Sequence, residues 1–90
     1  MKIEFTHKFI KNYKKRFSHK LNIQKRFNER SRKFAENPND PILLDHALSG
    51  KLDGYRAFSI TGDVRVAYYI HNNIAYFIDV GTHNQVYGGK

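Results

Sequence analysis

The sequence predicts an α+β domain whose elements run β-α-α-β-β-β, an antiparallel sheet with a two-helix hairpin packed on one face. Three observations predict it. Apolar residues recur at helical spacing through residues 9–34, forming one stripe per helix. Apolar and polar residues alternate at 2–5 and again at 64–80, which is the period of a strand. Gly, Asn, Asp and Pro cluster between these stretches and mark turns.

Each element has its own signal. Lys2-Ile3-Glu4-Phe5 alternates and reads as a short strand. Thr6 stands at an N-cap position, where its hydroxyl can accept a free backbone N–H. Phe9, Tyr13 and Phe17 then lie four apart, with Ile10 beside them, while Lys8, Lys11, Lys14, Lys15 and Arg16 fill the other faces. That is a helix of about three turns. Ser18 is expected to cap a second helix starting near His19 and carrying Ile23, Phe27 and Phe34. Asn37-Pro38 ends it, because Pro disfavours helix at the residue before it.

Residues 38–54 form a long connection with Pro38, Pro41 and the apolar patch Ile42-Leu43-Leu44. A connection of that length is usually functional or partly structured, and a helical turn is expected near Asp45–Leu48. Tyr55–Ile60 is the next strand, and Thr61-Gly62-Asp63 a turn. Val64–His71 follows, with Val64, Val66, Tyr68 and Ile70 on one face. Asn72-Asn73 is a two-residue hairpin signal. The last strand, Ile74–Val80, is read with Ile74, Tyr76, Ile78 and Val80 toward the core. The opposite face would hold Arg65, Ala67, Tyr69, His71, Ala75, Phe77 and Asp79. Arginine among aromatics on a sheet suits RNA, by phosphate contact and base stacking.

Composition narrows the function. The chain has 90 residues, enough for one domain spanning 1–90. It carries 16 Lys and Arg against 8 Asp and Glu, a net charge of +8. Residues 1–40 hold 12 of the bases and 4 of the acids, so the entire excess lies there. Such an imbalance points to a polyanionic partner. Cysteine is absent, which excludes disulfides, thiol nucleophiles and Cys-based zinc sites. No apolar run approaches a membrane span. The first residues lack the apolar stretch of a signal peptide, so a cytoplasmic protein with no membrane partner is expected. His7, His19 and His71 have no zinc-like spacing with a third ligand, and no metal or other cofactor is expected.

The second half carries a distinctive pattern. It reads Asp45-His46-Ala47-Leu48-Ser49-Gly50, then Gly54-Tyr55-Arg56, then Gly62-Asp63-Val64-Arg65-Val66-Ala67-Tyr68, then Gly81-Thr82-His83-Asn84-Gln85-Val86-Tyr87. This resembles the RelE/ParE superfamily of toxins from bacterial type II toxin–antitoxin systems, and most closely its YafQ-like branch. The resemblance implies a RelE-like fold over the whole chain. It implies an mRNA interferase, an endoribonuclease that cleaves message in the ribosomal A site without a metal. It also implies a cognate acidic antitoxin, and operator DNA bound only through the toxin–antitoxin complex.

A metal-free ribonuclease lets the ribose 2′-hydroxyl attack the adjacent phosphate. It needs a proton acceptor, a proton donor for the leaving 5′-oxygen, and cations for the phosphorane. By resemblance His83 is the general acid, His46 a second proton-transfer group or a phosphate donor, and Asp63 a base or orienting group. Arg65 and Arg56 would bind phosphate, and Tyr87 would stack on a base or position the phosphate. Histidine titrates near neutrality, and the arginine fork matches phosphate oxygens. Ordinary roles stand beside these. His83 could be a surface turn residue, Asp45-His46 a helix cap and Asp63 a turn former. Arg65 could pair with Asp79 across strands, Arg56 could be a solvated charge, and Tyr87 could pack the tail. The chain departs from the YafQ-like pattern at two positions. Ser59 stands where that pattern has a histidine, and Val64 where it has a tryptophan. Two other functions remain open: a non-enzymatic ParE-like inhibitor of DNA gyrase, or a basic nucleic-acid-binding module.

Overall fold

A computed structural model describes residues 1–88. Strand β1 (Lys2–Phe5) leads into helices α1 (His7–Phe17) and α2 (Leu21–Glu36). Four strands follow: β2 (His46–Ala47), β3 (Arg56–Ser59), β4 (Val64–His71) and β5 (Ile74–Thr82). Single 3-10 turns at Pro41–Leu43 and Gly50–Leu52 flank β2, and a short π-helical turn, Asn84–Gly88, follows β5.

The five strands form one sheet in the order β1-β5-β4-β3-β2. The sheet is mixed rather than antiparallel, since β1 pairs with β5 in parallel, Lys2 opposite Ile74. A strand from the far end of the chain owes no hairpin geometry to its neighbour, so nothing local forces it antiparallel. The other pairs are antiparallel. The expected helical turn near Asp45–Leu48 is instead β2, because His46 and Ala47 pair with Ala57 and Arg56.

Local chemistry accounts for the helices. The Thr6 hydroxyl accepts the Phe9 N–H at 3.2 Å, capping α1 as its sequence predicts. Ser18 does not cap α2. Its N–H donates to the Lys14 carbonyl and closes α1, and α2 begins after Lys20 with no side-chain cap. Asn72 and Asn73 both adopt positive φ, 52° and 63°, as a tight hairpin turn requires.

Both helices cover the face that carries Phe58, Tyr68 and Phe77. Phe34 of α2 stacks on Phe58 at 4.8 Å and meets Tyr68 edge-on at the same distance. Phe9 and Phe27 pack on each other and on Phe77. Each such buried ring contributes about 1.5–3 kcal/mol over leaving it exposed.

The face assignment of β5 corrects the sequence reading. Ala75, Phe77 and Val80 are buried, while Ile74, Tyr76 and Ile78 are only partly so. The cause is a β-bulge. Tyr68 opposes Phe77 and Ala67 opposes Asp79, which leaves Ile78 without a partner. One extra residue reverses the alternation on either side of it. Asp79 is buried beside α1, where its Oδ1 accepts from Asn12 at 2.8 Å and Arg16 at 3.1 Å. Among the described residues no helix is long and apolar enough to cross a membrane.

Candidate active site

The site is built where β5 ends. Gly81 is closely covered there: a Cβ would lie 2.6 Å from the Gln85 Oε1, 2.8 Å from an Arg16 nitrogen and 2.9 Å from the Gln85 Cβ. Thr82 and Gln85 then form a reciprocal capping box. The Gln85 N–H donates to the Thr82 hydroxyl at 3.3 Å, and the Gln85 Oε1 accepts the Thr82 N–H at 2.8 Å. This winds the chain into a turn immediately after the strand. Residues four apart share one side of such a turn. His83 and Tyr87 accordingly meet edge-to-face, with ring centroids 4.5 Å apart and planes at 88°. The Thr-x-x-Gln signal was present in the sequence, and it is the feature that sequence reasoning missed.

His46 comes from the opposite edge of the sheet. Its Nδ1 lies 3.0 Å from the Leu44 carbonyl oxygen. A carbonyl only accepts, so in the neutral ring Nδ1 carries the proton and Nε2 keeps its lone pair. Leu44 is held in the left-handed region, φ 51° and ψ 39°, as the chain leaves the Pro41–Leu43 turn. That conformation is unfavourable for a non-glycine residue. His46, His83 and Tyr87 line one cavity of about 460 Å³, with Leu48, Lys51 and Leu52 completing its wall. Among the described residues no three His, Asp or Glu side chains converge as a metal-binding group.

The remaining sequence candidates are placed as follows. Arg65, on β4, stands in register between Ser59 and Gly81, at the start of the His83 turn. Asp79 is not its partner, being engaged by α1. Burial raises the Tyr87 phenol from its ordinary pKa, and the nearby Arg65 charge partly offsets that. Among the described residues the buried Tyr87 hydroxyl has no hydrogen-bond partner. Asp63 is exposed in the turn before β4, its N–H bonded to the Thr61 hydroxyl. It does not line the cavity. Neither does Arg56, whose Nε donates to Asp45 at 2.7 Å. That bond raises the Arg56 pKa.

Farther along the same sheet face, Tyr55, Tyr69 and Tyr76 form an aromatic row. Sequence alternation places Tyr69 on this face but turns Tyr76 toward the core, because the bulge at Ile78 has no local signal. Ala75 and Phe77, also assigned to it, face the helices.

Comparison with known proteins gives the lineage. No curated protein sequence matches the chain significantly. YafQ from E. coli strain BL21(DE3) superposes with a TM-score of 0.75 at 21% identity, over 96% of this chain and 97% of that one. A YoeB/ParE toxin from Agrobacterium tumefaciens gives 0.77 at 20% identity, over 92% and 99%. The toxin in an E. coli DinJ–YafQ complex gives 0.67 at 25% identity, over 96% and 97%. The family model described as the YafQ toxin of bacterial type II toxin–antitoxin systems matches residues 1–88. The chain therefore belongs to the YafQ family of type II toxin–antitoxin toxins.

Proposed function

We propose that this protein is a ribosome-dependent endoribonuclease that cleaves mRNA in the A site without a metal. The observation that carries this reading is one cavity holding His46, His83 and Tyr87, with Arg65 beside Tyr87. Two histidines supply a base and an acid, and the arginine supplies charge for the phosphorane.

His46 takes the proton of the ribose 2′-hydroxyl through Nε2, the ring nitrogen left with a lone pair. The 2′-oxygen forms a bond to phosphorus as the bond to the 5′-oxygen breaks. His83, in its protonated form, donates to that leaving oxygen. The products are a 2′,3′-cyclic phosphate and a 5′-hydroxyl. Arg65 holds the phosphate oxygens, and the Tyr87 ring, edge-on to His83, helps to position the phosphate. Asp63, exposed before β4 and outside the cavity lining, serves as an orienting group rather than a base. Arg56, bound to Asp45, has a lesser part in phosphate binding.

The helices dock the protein. Lys8, Lys11, Lys14 and Lys15 on α1, and Arg26 and Arg32 on α2, suit ribosomal RNA phosphates without reading sequence. The same charge suits an acidic antitoxin, and operator DNA would be met only through that complex.

The test is induction in cells with primer-extension mapping of message ends, for wild type, His83→Ala and His46→Ala. Cuts within codons that vanish in both variants are expected, with antitoxin binding retained. Growth arrest with DNA damage and intact message would favour a gyrase inhibitor. Neither cleavage nor arrest would leave a basic binding module.

A further inference from the structure

The long connection before β3 is tied to the sheet at one residue. Asp45 has a nearly buried side chain whose two oxygens are held by different strands. Oδ1 accepts from Arg56 Nε of β3 at 2.7 Å, and Oδ2 accepts from the Tyr68 hydroxyl of β4. Tyr68 is itself 1% exposed, so its hydroxyl cannot turn to solvent. A buried carboxylate satisfied at both oxygens by fixed donors has one orientation.

The neighbours of Asp45 make this orientation consequential. On one side Leu44 sits in the left-handed region, which turns its carbonyl onto the His46 ring. Before it, Leu43 is fully buried in the core. On the other side His46 pairs with Ala57 at the sheet edge. The unfavourable Leu44 conformation persists only if both flanks are fixed. Leu43 fixes one and Asp45 the other.

We infer that Asp45, clamped by Arg56 and Tyr68, is a positioning residue that sets the ring orientation and tautomer of His46. This rests on the cleavage reading given above, and it assigns Arg56 to the clamp as its principal role. Asp45 does not line the cavity. It acts by holding the Leu44 carbonyl where it fixes the proton on Nδ1, which leaves the lone pair of a base on Nε2 of a ring that lines the cavity. Misplacing a reacting group by about 1 Å can cost about a hundredfold in rate.

The experiment uses the full chain with Asp45→Asn and Tyr68→Phe, the second keeping the buried ring and removing only the hydroxyl. Nitrogen-15 NMR of the His46 ring gives the tautomer directly. Wild type is expected to be protonated at Nδ1, and both variants to lose that fixed form while remaining folded by circular dichroism. Single-turnover cleavage of ribosome-bound message is expected to fall about tenfold to a hundredfold, with complex affinity unchanged. In a His46→Ala background Asp45→Asn should have no further effect, because the clamp acts through that ring. An unchanged His46 tautomer in both folded variants overturns the inference, as does an equal loss of rate with and without His46. If wild type cleaves nothing, the cleavage reading fails by itself, and the NMR result still decides the clamp.

Discussion

The Gln85 side chain closes over Gly81 so tightly that a methyl group on the glycine would lie 2.6 Å from its Oε1. The same oxygen accepts the Thr82 N–H, so a Gly81→Ala substitution displaces the cap that winds the His83 turn. Overpacking of this kind costs about 1–3 kcal/mol. A lower denaturant midpoint is expected and, on the cleavage reading, message cleavage is lost at temperatures where the variant is fully folded. Wild-type cleavage by a stable Gly81→Ala protein would show that the cap does not place His83.

Asp79 is the buried charge on which α1 is pinned to β5. Its Oδ1 accepts from Asn12, Arg16 and its neighbour's Val80 N–H, while Lys8 lies 4.0 Å from Oδ2. Asp79→Ala leaves the half-buried Arg16 without its counter-charge. Removing one partner of a buried pair costs about 3–5 kcal/mol. Urea unfolding should report a loss of that order, larger than for Glu29→Ala, whose ion pair with Arg26 lies on the surface.

Phe34 is the ring on which α2 meets the sheet, fully buried against Phe58, Tyr68 and Phe77. Phe34→Ala should cost about 3–5 kcal/mol. Equilibrium unfolding measures this, and a loss under about 1 kcal/mol would mean that the helix is not anchored there.

Alkali should unfold the protein partly through Tyr68. Burial, and then the Asp45 carboxylate, raise its phenol above the ordinary value of 10.0. Above that pH the unfolded chain loses this proton and the folded chain keeps it. The contribution is therefore fully present below pH 10.0 and declines as pH rises toward the raised folded value. Melting temperature followed through this range should fall less steeply for Tyr68→Phe than for wild type. Parallel curves would place the alkaline loss in other groups.

Much of the fold was legible because its signals are local. The Thr6 cap, the Phe9-Tyr13-Phe17 stripe and the Asn72-Asn73 turn each depend on residues within one or two turns. The misreadings share one cause, which is tertiary context. Nothing local announces that Ile78 is bulged, yet that residue decides which way Tyr76, Phe77 and Asp79 point. The pairing of β1 with β5 joins the two ends of the fold, beyond the reach of any pattern window. Ser18 has the chemistry of an N-cap, but the turn into α2 is longer than assumed. At the site, the sequence motif named His46, His83 and Tyr87, and the fold brings all three to one cavity. It leaves Arg65, Asp63 and Arg56 outside the lining of that cavity. The Asp45 clamp was invisible because Tyr68 reads simply as a core aromatic until its hydroxyl is traced.

The parallel strand at the sheet edge also sets an order in time. Among the described residues β1 has β5 as its only sheet neighbour, and a ribosome adds residues at about 5–20 per second from the N-terminal end. Strand β1 therefore waits for β5 to be made. Until then the sheet lacks its closing pair, and His83, which follows β5, has yet to be added. The cavity that His46 and His83 share is therefore assembled last, together with the edge pair of the sheet.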